Sequence, residues 1–192
     1  MKSITIHNLD IQFPSALHSR AFTLIELIAV LAMVSIVLAI GVPGIRSLAG
    51  NSRITAIANN MLHQLHYARS EAVRQSTPVV LCPSQSGSSC DDSFHWENGF
   101  ILFSDHNGDR NPDSGEQVLR HFAPGDRHTR ILTSPGRKKI IYQASGMSPG
   151  STATITVCDR DGRISPKAVI LSNPGRPRLS DSRADGAPLE CI

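Results

Sequence analysis

The chain has 192 residues, a formal net charge of +3, 40% hydrophobic and 5% aromatic residues, with Gly 14, Pro 12 and Cys 4. That length holds one membrane helix plus one domain of ordinary size, the turn-forming composition suggests a β-rich domain, and the absence of an internal repeat or long low-complexity tract sets repeat architectures aside. In chain order, residues 1–21 carry Lys2 and Arg20 but no apolar run long enough for the core of an ordinary secretory signal. The stretch Phe22–Val42 follows directly, and Glu26 is its one charged residue. As a helix rising ~1.5 Å per residue it spans roughly the ~30 Å hydrocarbon core of a bilayer. A carboxylate in such a segment is costly and marks a functional position. Pro43, flanked by Gly41 and Gly44, is expected to kink or interrupt the helix where it leaves the membrane.

The junction Ser19-Arg20-Ala21 followed by Phe22-Thr23-Leu24-Ile25-Glu26-Leu27 resembles the processing site of type IV prepilins and of the pseudopilins of type II secretion. The resemblance implies cleavage between Ala21 and Phe22 by a prepilin peptidase, methylation of the new Phe22 amine, and a Glu at the fifth mature position, which is Glu26. Ala21 departs from the Gly usual before the cut; it is the next smallest residue. In such filaments the Glu26 carboxylate meets the terminal amine of a neighbouring subunit, so that a charge expensive alone in lipid becomes favourable on assembly. A Pro at the place of Pro43 is also frequent in the family. Without residues 1–21, 171 residues remain.

Residues 44–76 read as an amphipathic continuation of the helix. Ile54, Ile57, Ala58, Met61, Leu65, Ala68 and Ala72 recur at three- and four-residue spacing, while Arg46, Arg53, Asn60, Gln64 and Arg74 lie largely off that stripe. His63 and His66 share a face, but without a nearby third ligand a solvated face accounts for them better than a metal. Thr77-Pro78 stops the helix. Residues 77–192 then form the extracytoplasmic domain, with strands expected near Val79–Cys82, Gly99–Ser104, Glu116–Phe122, Thr129–Thr133, Lys139–Gln143, Ala153–Cys158 and Ala168–Ser172. One helix followed only by strands predicts an α+β fold, the helix laid across antiparallel sheets. The stretches LCPSQSGSSC, WENGFILFSDHNGD, EQVLRHF and ITVCDRDGRISPKAVILSNPGRPR resemble the FimT/GspH family of minor pilins and pseudopilins.

Cys82, Cys90, Cys158 and Cys191 are expected in an oxidising compartment once the domain is translocated. Four cysteines allow three connectivities; sequence proximity favours Cys82–Cys90 across a Ser/Gly-rich loop, leaving Cys158–Cys191. A zinc site is the rival reading, without a CxxC pair to support it. Gly146-Met147-Ser148-Pro149-Gly150 fits the G-x-S-x-G nucleophile elbow, but Pro149 has no N–H to serve the oxyanion and a turn is the better reading. No catalytic constellation survives, so no enzyme and no cofactor are expected. Asp105, Asn107, Asp109, Asp113 and Glu116 place oxygens as in an EF-hand-like calcium loop, yet Arg110 stands where that loop needs Gly; an Asx-rich hairpin connection is the alternative.

Charge is unevenly distributed. From Asp91 to Glu116 there are seven acidic residues and one basic; from Arg120 to Arg178 there are eleven basic and three acidic. A basic region is the footprint of a polyanion partner, or a solvated face, or a patch for acidic neighbours. Within it, Asn173-Pro174-Gly175-Arg176-Pro177-Arg178 fixes a turn that presents Arg176 and Arg178, each able to fork onto a phosphate. That loop resembles the Gly-Arg-x-Arg signature of FimT minor pilins, which bind DNA during natural transformation. The resemblance implies sequence-independent DNA binding through Gly175, Arg176 and Arg178, helped by Arg137, Lys138 and Lys139. It implies a single-pass protein of the bacterial inner membrane, with residues 22–43 as membrane and filament-core helix and its domain in the periplasm. Its partners would be other pilin subunits. The alternative is a structural pseudopilin of a type II secretion filament that does not bind DNA.

Overall fold

The structure, a computed structural model, describes residues 22–191; the expected leader, with Ala21 and the cleavage junction, lies outside them. The described residues fall into two compact units, divided between Val42 and Pro43.

Helix α1 is assigned to Leu24–Gln75. Thr23 caps its start: the Glu26 N–H donates to Thr23 Oγ1 at 3.3 Å, and the Leu27 N–H donates to the Thr23 carbonyl at 3.2 Å. Thr-x-x-Glu is the order of a capping box, which places Glu26 where the helix macrodipole favours a negative charge. Every side chain from Phe22 to Val42 is exposed, and the segment is long and apolar enough to cross a membrane. The Ser35 hydroxyl donates to the Leu31 carbonyl at 2.7 Å, so its polarity is satisfied within the helix. The helix range runs past Pro43, so the interruption considered there is not found; a proline removes only one donor from the ladder.

In the second unit the rest of α1 lies on two antiparallel sheets. The first contains β1 (Val79–Pro83), β2 (Phe100–Ser104), β3 (Val118–Phe122) and β5 (Ile140–Tyr142), in the order β3-β2-β1-β5. The second contains β4 (Thr129–Leu132), β6 (Ala153–Asp159), β7 (Lys167–Leu171) and β8 (Pro177–Ser180), in the order β4-β6-β7-β8. Helix and sheets close on one core. Ile54, Ala58, Met61, Leu65, Ala68 and Ala72 meet Leu81, Leu102 and Tyr142 of one sheet and Ile155, Val157 and Val169 of the other. Each large aliphatic side chain so buried contributes about 1.5–3 kcal/mol. The alanines let the sheets approach the helix axis. Ile57 is only partly buried, and Gln64, expected off the stripe, is 4% exposed. An apolar face more than 100° wide reaches past the strict three-four stripe to include position 64. There the Gln64 amide donates to Asn60 Oδ1 at 3.1 Å.

The helix ends in a Schellman motif. Ser76 adopts φ 52°, its N–H donates to the Val73 carbonyl at 3.3 Å, and the Thr77 N–H donates to the Ala72 carbonyl at 3.2 Å. Strands β1 and β2 are buried on both faces, because Val80, Cys82, Ile101 and Phe103 form a second cluster with Cys90 and Ile141. Cys82 is bonded to Cys90 and Cys158 to Cys191, with S–S distances of 1.99 and 1.94 Å. The expected strands are found within one or two residues of their predicted bounds. Strand β8 is an addition: the Pro-rich stretch read wholly as a turn enters a strand at Pro177. That residue opens an outermost strand, the place in a sheet where a missing N–H is tolerated.

Candidate nucleic-acid interface

The loop between β7 and β8 is clamped rather than free. The Gly175 N–H donates to the Ser172 carbonyl at 2.8 Å, and Gly175 has φ +73°. A Cβ at Gly175 would lie 2.1 Å from the Gly146 carbonyl oxygen, so two backbones pass where no side chain fits. The neighbouring 143–150 loop completes the clamp. Its Ser148 N–H donates to the Asn173 carbonyl at 2.9 Å, while the buried Ser148 hydroxyl donates to the Ile141 carbonyl at 2.7 Å. The serine of the G-x-S-x-G match therefore ties two loops together. Beneath the turn, burial pushes the Tyr142 phenol up from its ordinary value, so it stays neutral.

Arg176 and Arg178 are both exposed, and neither forms an ion pair among the described residues. Cross-strand register gives Arg178 its direction. It stands opposite Ile170, which pairs with Thr154, while the alternate residues Val169 and Ile155 face the core. Arg178 therefore projects from the outer face of the second sheet. The three expected helpers are engaged elsewhere. The Arg137 guanidinium donates to the Gly150 carbonyl, Lys138 pairs with Asp92 at 2.7 Å, and Lys139 donates to the Arg110 carbonyl at 2.6 Å and Asn111 Oδ1 at 2.8 Å. Lys138 and Lys139 thus meet the acidic stretch that sequence alone sets apart from the basic one.

The acidic loop itself is a chain of Asx contacts. Asp105 accepts the Gly108 N–H at 2.8 Å, Asp109 accepts the Asn111 N–H at 2.7 Å, and Glu116 accepts the His106 N–H at 2.7 Å. Oxygens of these three carboxylates lie within 4.8 Å of one another, and each carboxylate already serves the loop's own backbone, as in a self-capped turn.

Sequence reasoning did not single out the other cations of the outer face. A cleft of about 1020 Å³ crosses it, lined by Arg130, Arg160 and Arg183, with Thr154, Thr156 and Ile170 among its other residues. Phe94 and His95 also line it, their ring centroids 4.4 Å apart. The signal available in sequence was parity: Arg130 alternates with the core residue Ile131, but which face that meant needed the strand register.

A helix packed by its second half on two four-stranded antiparallel sheets, preceded by an exposed apolar segment, defines a pilin-like protein. The pattern of the prokaryotic N-terminal methylation motif matches residues 17–42, and that of the family described as type II transport protein GspH matches residues 58–175. The GspH match covers more than half of the chain, which belongs to this family and is a type IV minor pilin or pseudopilin. The pilin-like protein PilA1 of Thermus thermophilus is 29% identical over 168 residues, covering 83% of this chain and 97% of that protein. Two crystal structures of the type IV minor pilin FimU of Pseudomonas aeruginosa share the fold, with TM-scores of 0.54 and 0.53 at 17% and 19% identity. They cover 76% and 72% of this chain and 99% of each of those chains.

Proposed function

We propose that this chain is a minor pilin that binds DNA without sequence preference through Arg176 and Arg178, for uptake in natural transformation. The observation that carries the reading is a pair of exposed arginines, without ion pairs among the described residues, on a turn held by the Gly175–Gly146 contact. A fixed turn presents guanidiniums to phosphates with little ordering cost, and phosphate contacts position a protein on DNA without reading bases. Gly175 shapes the turn, and Arg137 supports the adjoining loop through Gly150. Lys138 and Lys139 carry a lesser share, since both are committed to acceptors of the acidic region.

The same reading places the protein in the inner membrane by residues 22–43 with its domain in the periplasm. A prepilin peptidase cuts between Ala21 and Phe22, and Phe22 is N-methylated. Glu26 then meets a neighbour's terminal amine in the filament. Replacing Arg176 and Arg178 together by Gln tests the DNA reading: binding should weaken while the fold is retained, because exposed arginines seldom hold a domain together. The second reading, a structural pseudopilin of a type II secretion filament, is favoured by one observation. The GspH match ends at Gly175, before either arginine. Unchanged DNA binding by the double variant would support that reading.

A further inference from the structure

We infer that the cleft on the outer face of the second sheet holds an unpaired DNA strand, continuing the path that begins at Arg176 and Arg178; this rests on the DNA-binding reading above. The register carries the continuity. On the outer face Arg178 stands beside Ile170 and Thr154, and Leu132 beside Thr156, with Arg130 beside Cys158. From β8 to β4 is three strand spacings, roughly 14 Å, and the cleft occupies the β4, β6 and β7 part of that width. Arg130, Arg160 and Arg183 line it, and Arg130 and Arg160 form no ion pair among the described residues. Arg183 lies 3.8 Å from Asp185, a loose pairing that leaves its charge exposed.

The cleft also holds two carboxylates, Glu97 and Glu190. Glu97 is already committed, accepting from His95 Nδ1 at 3.0 Å and from the Ile131 N–H at 3.1 Å; Glu190 is exposed. Arginines and threonine hydroxyls suit phosphates, and the half-buried Phe94–His95 pair supplies aromatic surface. Basic grooves combined with aromatic rings take single strands, because the base faces that a ring stacks on are covered by their neighbours inside a duplex. A duplex would reach Arg176 and Arg178 at the sheet edge but could not place a base against Phe94. One wall of the cleft is the C-terminal tail bearing Arg183 and Glu190. Cys191 bonds this tail to Cys158, and Asp181 pairs with Lys167 at 2.6 Å.

The test uses the full mature chain in detergent micelles and fluorescence anisotropy. The probes are a labelled oligothymidylate of about 12 nucleotides, within the ~4–16 range of single-strand sites, and a duplex of equal length. Arg130→Gln with Arg160→Gln should weaken oligothymidylate binding and flatten its salt slope by about 1.4 units, at ~0.7 per phosphate contact. Phe94→Ala should weaken the single strand at least about fivefold and leave the duplex unchanged. Buried Trp96 reports that each variant keeps its fold. If the cleft variants bind oligothymidylate as the parent does, while Arg176→Gln with Arg178→Gln loses duplex binding, the cleft inference is overturned and the DNA reading stands. If the parent binds neither probe, both fall. Equal competition by a polyglutamate peptide would show that the cleft reads charge alone, and would also overturn the inference.

Discussion

Replacing Gly175 by Ala should damage the domain more than a turn glycine ordinarily would, and the structure says by how much. Two costs add. An L-residue at φ +73° loses about 1–2 kcal/mol. The new Cβ would also meet the Gly146 carbonyl oxygen at 2.1 Å and its carbon at 3.1 Å. These are backbone atoms that move only with the whole 143–150 loop, so overpacking adds about 1–3 kcal/mol. The total, roughly 2–5 kcal/mol, is below the ~5–15 kcal/mol of a typical domain, so the protein still folds. At ~2–4 °C per kcal/mol for a domain of this size, the midpoint should fall by roughly 4–20 °C. Gly150 supplies the control: it has φ +68° and nothing within 4 Å of a built Cβ, so Gly150→Ala incurs only the conformational cost. The assay is thermal unfolding followed by the fluorescence of the single tryptophan, Trp96, which is buried in the domain. DNA affinity should fall with Gly175→Ala although both arginines remain. If Gly175→Ala is no worse than Gly150→Ala, the two loops are not clamped as described.

Tyr142→Phe should be neutral or stabilising by up to about 1 kcal/mol, since the buried hydroxyl has no hydrogen-bond partner among the described residues; a loss above about 1 kcal/mol in urea unfolding would mean that the hydroxyl is satisfied after all. Cys191→Ala, which leaves Cys158 as a buried thiol, should lower stability by about 2–4 kcal/mol by freeing a 33-residue separation; an unchanged urea midpoint would show that the tail is held by other contacts. Glu26→Ala should be processed to Phe22 as the parent is, by intact mass, yet be depleted from sheared filaments. Normal incorporation would contradict the pairing of the Glu26 carboxylate with a neighbour's amine, since the backbone cap on Thr23 is kept by Ala.

The fold was legible because its two periodicities are clean. Ile54, Ala58, Met61, Leu65, Ala68 and Ala72 keep helical spacing, and all face the core. Short apolar runs such as Val79–Cys82 and Ala153–Cys158 lie between turn residues and became β1 and β6. β8 escaped because a strand of four residues opening with proline looks like the end of a turn. Net charge along the chain also misled: Lys138 and Asp92 are 46 residues apart yet 2.7 Å from each other. Strand register decided the rest, since only pairing across β4, β6, β7 and β8 shows that Arg130 and Arg178 share a face.

The most direct test of the DNA-binding account is a salt titration of duplex DNA binding by the full chain and by the variant carrying Arg176→Gln and Arg178→Gln. The parent should bind weakly, roughly in the 10⁻⁴–10⁻⁶ M range of non-specific association, and lose affinity steeply as salt rises. The double variant should bind more weakly, with a slope flatter by about one to two units, as expected when two phosphate contacts are lost. The same affinity and the same slope in both proteins would contradict the account and leave the structural pseudopilin reading in its place.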